Sequence, residues 1–178
     1  MTSTLAFDIA QFFPSLNHWL LPLIIRKAEF DPKVSCFFSN YLVGRKTQYF
    51  WNKFSSSFFN VNIGMDQGLA LSLILSALYI ALVLYILEKH LKILKIPVFI
   101  LSFVDDGLFV AQSKLFTILN SNLFYSYNIT SSILETFGLI MKHGKIEVFH
   151  FSRSYSLFNP SLLNLSISEG PVLWPKNT

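Results

Sequence analysis

The feature that most constrains the fold is an uncharged run of nineteen residues, 69–87, near the middle of the chain. Its only polar side chains are two serines and two tyrosines. A run of this length is long enough to cross a bilayer as a helix. The same residues also suit a helix buried inside a globular domain, and the apolar period continues towards Lys95 with the lysines on one face. Both alternatives predict one long helix over about 68–95, which Pro97 ends.

The composition of the chain is unusually apolar for its size. The length of 178 residues suggests one domain. Of these residues 52% are hydrophobic and only 13% are charged, against about 25% charged in typical globular domains. This predicts either association with a membrane or a surface that normally meets other protein or a ligand. The net charge of +4 is a mild bias towards polyanions. The single cysteine, Cys36, excludes a disulfide within the chain and a cysteine-based zinc site.

Two adjacent carboxylates, Asp105 and Asp106, stand between the apolar runs 98–101 and 108–110. Asp-Gly between apolar runs indicates a hairpin turn, which would place the acids at its tip. Like charges on such a turn repel each other unless a cation lies between them, which predicts a divalent-metal site. The alternative is a solvated turn, because aspartate is a common turn former.

The apolar patterns predict an α+β fold with an antiparallel sheet backed by helices. The expected elements, in order, are a strand at 5–10, helices at 15–30 and 32–42, a hairpin at 46–63 around 55–57, the long helix, the Asp105-Asp106 hairpin, a helix at 113–137 and a hairpin at 139–151 around 143–144. Such a sheet can bring the end of the first strand, with Asp8, to the Asp105-Asp106 turn. Three carboxylates there would hold two Mg²⁺ ions, which prefer oxygen ligands and serve phosphoryl transfer.

Four segments, in order, resemble the palm region of a reverse transcriptase. They are AFDIAQFFPSL at 6–16, GMDQGLALSLIL at 64–75, FVDD at 103–106, and FGL at 137–139 through KIE at 145–147. The match covers about residues 5–151 and is nearest to the enzymes of non-LTR retrotransposons, of a fungal kind. The resemblance implies a polymerase palm-like antiparallel sheet backed by helices, without fingers and thumb.

The resemblance also implies roles for particular residues. Asp8 and Asp105 would be direct metal ligands, and Asp106 would support them. Lys145 would donate a proton to, or stabilise the charge on, the leaving pyrophosphate. The implied nucleotide- and template-binding residues are Ile9, Phe13, Gln67 and Gly68. Phe13 would exclude a 2′-hydroxyl. The implied partners are an RNA template, a DNA primer and deoxynucleoside triphosphates, with two Mg²⁺ ions as cofactors.

The chain departs from the family pattern at four positions. Asp66 replaces a proline, Leu69 a serine, Leu73 a second proline, and Ile146 a threonine. An extra carboxylate at Asp66 could repel the phosphates of a template or triphosphate. Leu69 and Leu73 lengthen the uncharged run, so a buried palm helix explains that run without a membrane.

We therefore expect a palm domain fragment at 1–153 and a loop-rich, truncated tail at 154–178. The fragment would be inactive alone, because no fingers region precedes the first block and no thumb follows the last. Two alternatives remain: a small membrane protein with one span at about 69–87, and a non-catalytic module that binds other protein through exposed apolar surface. The amino terminus lacks the pattern of a signal peptide, which predicts a protein of the nucleus or cytoplasm that is not secreted.

Overall fold

The computed structural model describes residues 1–151, so the expected tail at 154–178 lies outside the described residues. The strands are β1 (Thr2–Ala10), β2 (Lys46–Thr47), β3 (Phe50–Trp51), β4 (Phe54–Ser55), β5 (Phe59–Asn60), β6 (Val98–Phe103), β7 (Asp106–Gln112), β8 (Ile140–Met141) and β9 (Glu147–Phe151). The helices are α1 (Phe12–Ser15), α2 (Leu20–Lys27), α3 (Pro32–Leu42), α4 (Ala70–Ile93) and α5 (Phe116–Thr136), with a short 3-10 turn at His143–Lys145. The α+β fold class predicted from the sequence is confirmed.

These elements form two compact units. The first comprises Met1–Ala10 and the described residues from Val83 onward, and the second is Gln11–Leu82. The first unit contains an antiparallel sheet in the order β6-β7-β1, and both β8 and β9 pair with the other edge of β1. β1 is therefore the central strand, because β7 pairs with one of its edges and β8 and β9 pair with the other.

The two faces of β1 differ because its residues alternate between buried and half-buried. Leu5, Phe7 and Ile9 are buried and lie on the face that α5 covers, where α5 contributes buried apolar side chains such as Leu119 and Leu123. The opposite face carries Asp8 and is open. Its flanking strand β6 exposes three large apolar side chains there: Phe99, Leu101 and Phe103.

The last predicted hairpin is wrong in its pairing. β8 and β9 do not pair with each other; Ile140–Met141 pairs with the end of β1, and Glu147–Phe151 pairs with its first half. The 3-10 turn joins them along the same edge. A further difference is that α5 begins at Phe116 and not at Ser113, and it runs without interruption to Thr136. The strand pairing could not be read from sequence, because two short strands that share one partner have the same pattern as a hairpin.

In the second unit, α3 begins as predicted. The carboxylate of Asp31 accepts a hydrogen bond from the backbone NH of Lys33 at 2.8 Å, and Pro32 takes the first helical position. The helix predicted over 15–30 is wrong at its start, because Asn17 forms a β-bridge with Ile63 and the helix begins only at Leu20.

The hairpin predicted over 46–63 exists, but its tip is elsewhere. β3 and β4 pair around a tight turn at Asn52 and Lys53, so Ser55 belongs to the returning strand β4, and Ser56 and Ser57 follow that strand. Asn52 has φ 54, a left-handed conformation that asparagine tolerates better than most residues.

The long uncharged helix α4 buries one continuous stripe. Its buried residues recur at helical spacing and are Ser72, Leu75, Ser76, Tyr79, Ile80, Val83, Leu87 and Leu91. By length and composition alone it is also the one helix within residues 1–151 that could cross a membrane. Such evidence is weak, because the core helix of a soluble protein passes the same test. The stripe accounts for 39% of the apolar window, and Leu73, Ile74 and Tyr85 are exposed on the rest of the helix.

The stability of the first unit should depend on pH through His150. Its imidazole lies 2.5 Å from the hydroxyl of Ser3, and its burial lowers the pKa of His150 below the usual value. The unfolded chain then binds a proton more readily than the folded one, so stability is complete above about pH 6.5 and falls as the pH drops below it. Urea unfolding between pH 7.5 and 5 measures this. His150→Phe should flatten the dependence, whereas His90→Phe on the exposed side of α4 should leave it unchanged; equal slopes in all three proteins would contradict the assignment.

Candidate functional site

The turn between β6 and β7 is formed by Val104 and Asp105, because Phe103 and Asp106 are the last paired residues of the hairpin. Asp106 therefore begins a strand, and the expectation that both acids stand at the tip is wrong by one residue. Val104 has φ 58, a conformation that costs a β-branched residue about 1–3 kcal/mol. Such strain at a turn persists only where the surrounding pairing fixes it, and it marks this turn as a functional candidate.

Asp8 and Asp106 are directly opposite each other on neighbouring antiparallel strands. Side chains in this position share a face, with their Cβ atoms about 5 Å apart. The carbonyl of Asp105 accepts a hydrogen bond from the backbone NH of Ile9 at 2.9 Å, which ties the turn to the end of β1. The structure thus brings the end of β1, with Asp8, against the turn that carries Asp105 and Asp106, almost a hundred residues later in the sequence.

Lys145 also lies at this site. Its Nζ donates a hydrogen bond to Oδ2 of Asp8 at 2.7 Å, and this contact raises the pKa of Lys145. Two contacts position its turn: the NH of Lys142 donates to the carbonyl of Asp8 at 2.8 Å, and Tyr127 hydrogen-bonds His143. The turn that carries Lys145 is therefore held so that the ammonium group of Lys145 contacts the carboxylate of Asp8.

The residues fit a divalent cation in chemistry and in place. Carboxylate oxygens are the ligands that Mg²⁺ prefers, and Asp8 and Asp106 share the open face of the sheet. Within residues 1–151, however, no three acidic, histidine or cysteine side chains already converge on one point. Asp8 is paired with Lys145 instead, so a cation would have to replace the ammonium group as the partner of Asp8.

Gly107 is a site residue whose role sequence reasoning missed. The pattern marks it as a turn glycine, but it lies in β7 opposite Phe7. A Cβ at Gly107 would lie 2.0 Å from Cζ of Phe7, whose ring covers the glycine and stacks on Phe109 at 5.0 Å. The missing side chain fixes the pairing of β1 and β7 one residue from the Asp8–Asp106 pair. The contact of Phe7 with Gly107, one hundred positions later in the sequence, cannot be predicted until the register of β1 and β7 is known.

The remaining predicted residues divide between the units. Ile9 is buried, and its NH already binds Asp105, so its side chain belongs to the core. Phe13, Gln67 and Gly68 belong to the second unit. Gln67 and Gly68 are exposed, and a Cβ at Gly68, with φ 99, would meet open space. This is a position where backbone, and not a side chain, faces the surroundings.

The first two resembling segments are joined by their backbones inside the second unit. The NH of Met65 donates to the carbonyl of Phe13 at 2.8 Å, and the NH of Gly64 donates to Leu16 at 2.8 Å. Gly64 has φ 86, and a Cβ there would lie 2.7 Å from the carbonyl oxygen of Pro14. Glycine is therefore required where the two segments meet.

The unusual Asp66 does not stand alone. Its carboxylate pairs with the guanidinium of Arg45, which also lies 5.3 Å from the ring centroid of Tyr41. The expected repulsion of phosphates by Asp66 is thus opposed by a cation at the same place. Sequence reasoning had no signal for this pair, because twenty-one residues separate its members.

Comparison with solved structures shows what the fold resembles. Telomerase from Candida tropicalis, in complex with a TWJ fragment of telomeric RNA, is 15% identical with a TM-score of 0.64, and the match covers 83% of this chain and 26% of that one. The apo form of the same enzyme is 15% identical with a TM-score of 0.65, covering 84% and 28%. Telomerase from Candida albicans, with the TWJ fragment, is 16% identical with a TM-score of 0.56, covering 84% and 28%.

These likenesses confirm a reverse-transcriptase-like fold. This chain spans only 26% to 28% of the length of those three telomerase chains. No protein-family model matches the sequence, and none of the curated proteins matches it.

Proposed function

We propose that this chain is the palm portion of an RNA-directed DNA polymerase of retrotransposon origin, of the non-LTR type. The observation that carries the proposal is the meeting of Asp8, Asp105 and Asp106 at adjoining strand ends. It is supported by the reverse-transcriptase-like fold in which they meet. An RNA template, a DNA primer and deoxynucleoside triphosphates are the proposed partners.

Asp8 and Asp105 would hold two Mg²⁺ ions, with Asp106 in support on the same face as Asp8. When bound, the ions lower the pKa of the attacking hydroxyl and stabilise the charge on the leaving oxygen. The chain supplies the alignment: the pairing of β1 with β7 places Asp8 opposite Asp106 on one face of the sheet, where the side chain of Asp8 is 15% exposed beside Lys145. Lys145, released from Asp8, is a cation within reach that can donate a proton to the leaving pyrophosphate.

The second unit supplies the proposed contacts to nucleotide and template. Phe13 would lie against the sugar of the incoming nucleotide and exclude a 2′-hydroxyl. Gln67 and Gly68 would face the template and the new base pair, where the bare backbone of Gly68 permits close approach.

A second candidate function is a non-catalytic interaction module. The observation that favours it is the row of Phe99, Leu101 and Phe103 on the open sheet face, with 70%, 60% and 79% of their surfaces exposed. Apolar side chains in such a row commonly meet another protein. A monodisperse monomer that does not bind an apolar dye would argue against this candidate.

Primer extension tests the polymerase proposal. We expect no robust synthesis by the 178-residue chain alone on an RNA template with Mg²⁺, because its 14 lysines and arginines offer few contacts to the phosphates of a primer and template. Robust synthesis would contradict the expectation that the chain is inactive alone. Any synthesis observed must be abolished by Asp105→Asn and retained in Glu135→Gln, which changes an exposed carboxylate on α5. Synthesis that survives Asp105→Asn would contradict the proposed site.

A further inference from the structure

Residues 45–61 form a hairpin, which we call the aromatic arm. Two short ladders build it, β2 with β5 and β3 with β4. Polar contacts inside the arm brace them: Nε2 of Gln48 donates to Oγ of Ser55 and to the carbonyl of Ser56, both at 2.6 Å. The NH of Tyr49 donates to Oγ of Ser56 at 2.9 Å. The arm is therefore held by its own hydrogen bonds and by the packing of Tyr49 on Phe59, whose ring centroids lie 5.1 Å apart.

The surface of the arm is aromatic. Five aromatic side chains are more than 60% exposed, namely Tyr49, Phe50, Trp51, Phe54 and Phe58. Val61, at the base of the arm, is the only aliphatic residue in 45–61. Protein interfaces are enriched in aromatic side chains, methionine and arginine, and the arm contains no methionine. Its exposed rings are also suited to stacking on planar groups such as unpaired bases.

The charge of this region has one sign. No acidic residue occurs between Asp31 and Asp66. Within residues 1–151, Lys46 and Lys53 form no ion pair, and both are exposed. Lys53 is in the turn at the tip, and Lys46 is at the base of the arm. The arm therefore presents aromatic faces and two cations to its surroundings, which complements a polyanion that carries flat, apolar groups.

We propose that the aromatic arm binds single-stranded nucleic acid by stacking unpaired bases on its aromatic side chains while Lys46 and Lys53 contact phosphates. The proposal deepens the polymerase function and rests on it for the choice of nucleic acid as the partner. Unpaired strands are favoured over duplexes because bases in a duplex already stack on each other and cannot stack on a side chain. The binding does not require the carboxylate site, so the two proposals can fail separately.

Binding to a fluorescein-labelled twelve-nucleotide oligouridylate, followed by anisotropy with the full chain, tests the proposal. Trp51→Ala should weaken binding about fivefold to a hundredfold, the range for losing one stacked base. The matched control is Trp19→Ala, since Trp19 and Trp51 are 80% and 77% exposed but Trp19 lies outside the arm. The control should bind within about twofold of the wild type. Trp51→Phe, which keeps a planar ring, should retain most of the affinity.

The lysines give a second readout. Replacing both Lys46 and Lys53 by alanine should lower the slope of log Kd against log salt by about 1.4, or about 0.7 for each single-strand phosphate contact. A DNA strand of the same length should compete, and a duplex should compete at least tenfold less well.

Several results would overturn the assignment. These are no binding by the wild type, equal losses in Trp51→Ala and Trp19→Ala, equal competition by the duplex, or binding to anionic vesicles in place of the oligonucleotide. Asp105→Asn separates the two proposals, because it should leave oligouridylate binding unchanged while it impairs the metal site. Binding of a divalent cation without binding of oligouridylate would contradict the proposal for the aromatic arm and not the proposed metal site.

Discussion

Gly107→Ala is expected to lower the free energy of unfolding by about 1–3 kcal/mol, the usual cost of forcing extra volume into a packed site. The added Cβ would lie 2.0 Å from the ring of Phe7, a distance that no packing permits. Phe7 has little room to move, because it is buried and stacked on Phe109. Urea unfolding followed by circular dichroism measures the change.

Two companion variants decide whether the steric account is correct. Gly144→Ala is the matched control, because a Cβ there meets open space, and it should change stability by less than about 0.5 kcal/mol. Phe7→Leu combined with Gly107→Ala should cost less than the sum of the two single changes, since the smaller side chain frees the space. Strict additivity, or an unchanged midpoint for Gly107→Ala, would contradict the contact.

Lys145→Met is expected to tighten the binding of a divalent cation by about fivefold or more, the effect of removing one nearby unit charge in water. In the structure the ammonium group of Lys145 is hydrogen-bonded to Oδ2 of Asp8, an atom that a divalent cation would need as a ligand. Removing it leaves Asp8 beside Asp106 without a counter-charge, which favours a bound cation. The same variant should slow any nucleotidyl transfer, because the proposed proton donor is lost.

Lys114→Met serves as the control for Lys145→Met, since Lys114 is exposed. This substitution removes the same charge at a position away from the carboxylates. It should leave the cation affinity within about twofold of the wild type. Weaker binding in Lys145→Met would mean that the lysine helps to form the site and does not compete for it.

Patterns along the chain predict local features well. The cap at Asp31, the end of the long helix before Pro97 and the strand that carries Asp8 all follow from residue types at fixed positions. The meeting of Asp8 with the Asp105-Asp106 turn was also expected, because strand ends in one antiparallel sheet can adjoin. These features depend on neighbours in sequence or on one strong alternation.

The features that sequence reasoning missed depend on register. The Asp-Gly pattern predicts a turn residue at Gly107, although the ring of Phe7 covers it from the neighbouring strand. The apolar pattern predicts that 139–141 pairs with 146–151, yet β8 and β9 each pair with β1. A shift of one residue reverses the face of every side chain, and only tertiary packing decides it. The contact of Lys145 with Asp8, across 137 residues, has the same origin.

The central claim is that Asp8, Asp105 and Asp106 form a divalent-cation site. Titration of the full chain with Mn²⁺, followed by electron paramagnetic resonance, tests it most directly because it requires no catalysis. The account predicts binding by the wild type that Asp8→Asn and Asp105→Asn each weaken at least tenfold, the loss that even an outer partner of a metal site can cause, while Glu135→Gln leaves it unchanged. Wild-type binding that survives both substitutions, or no binding at all, would contradict the account.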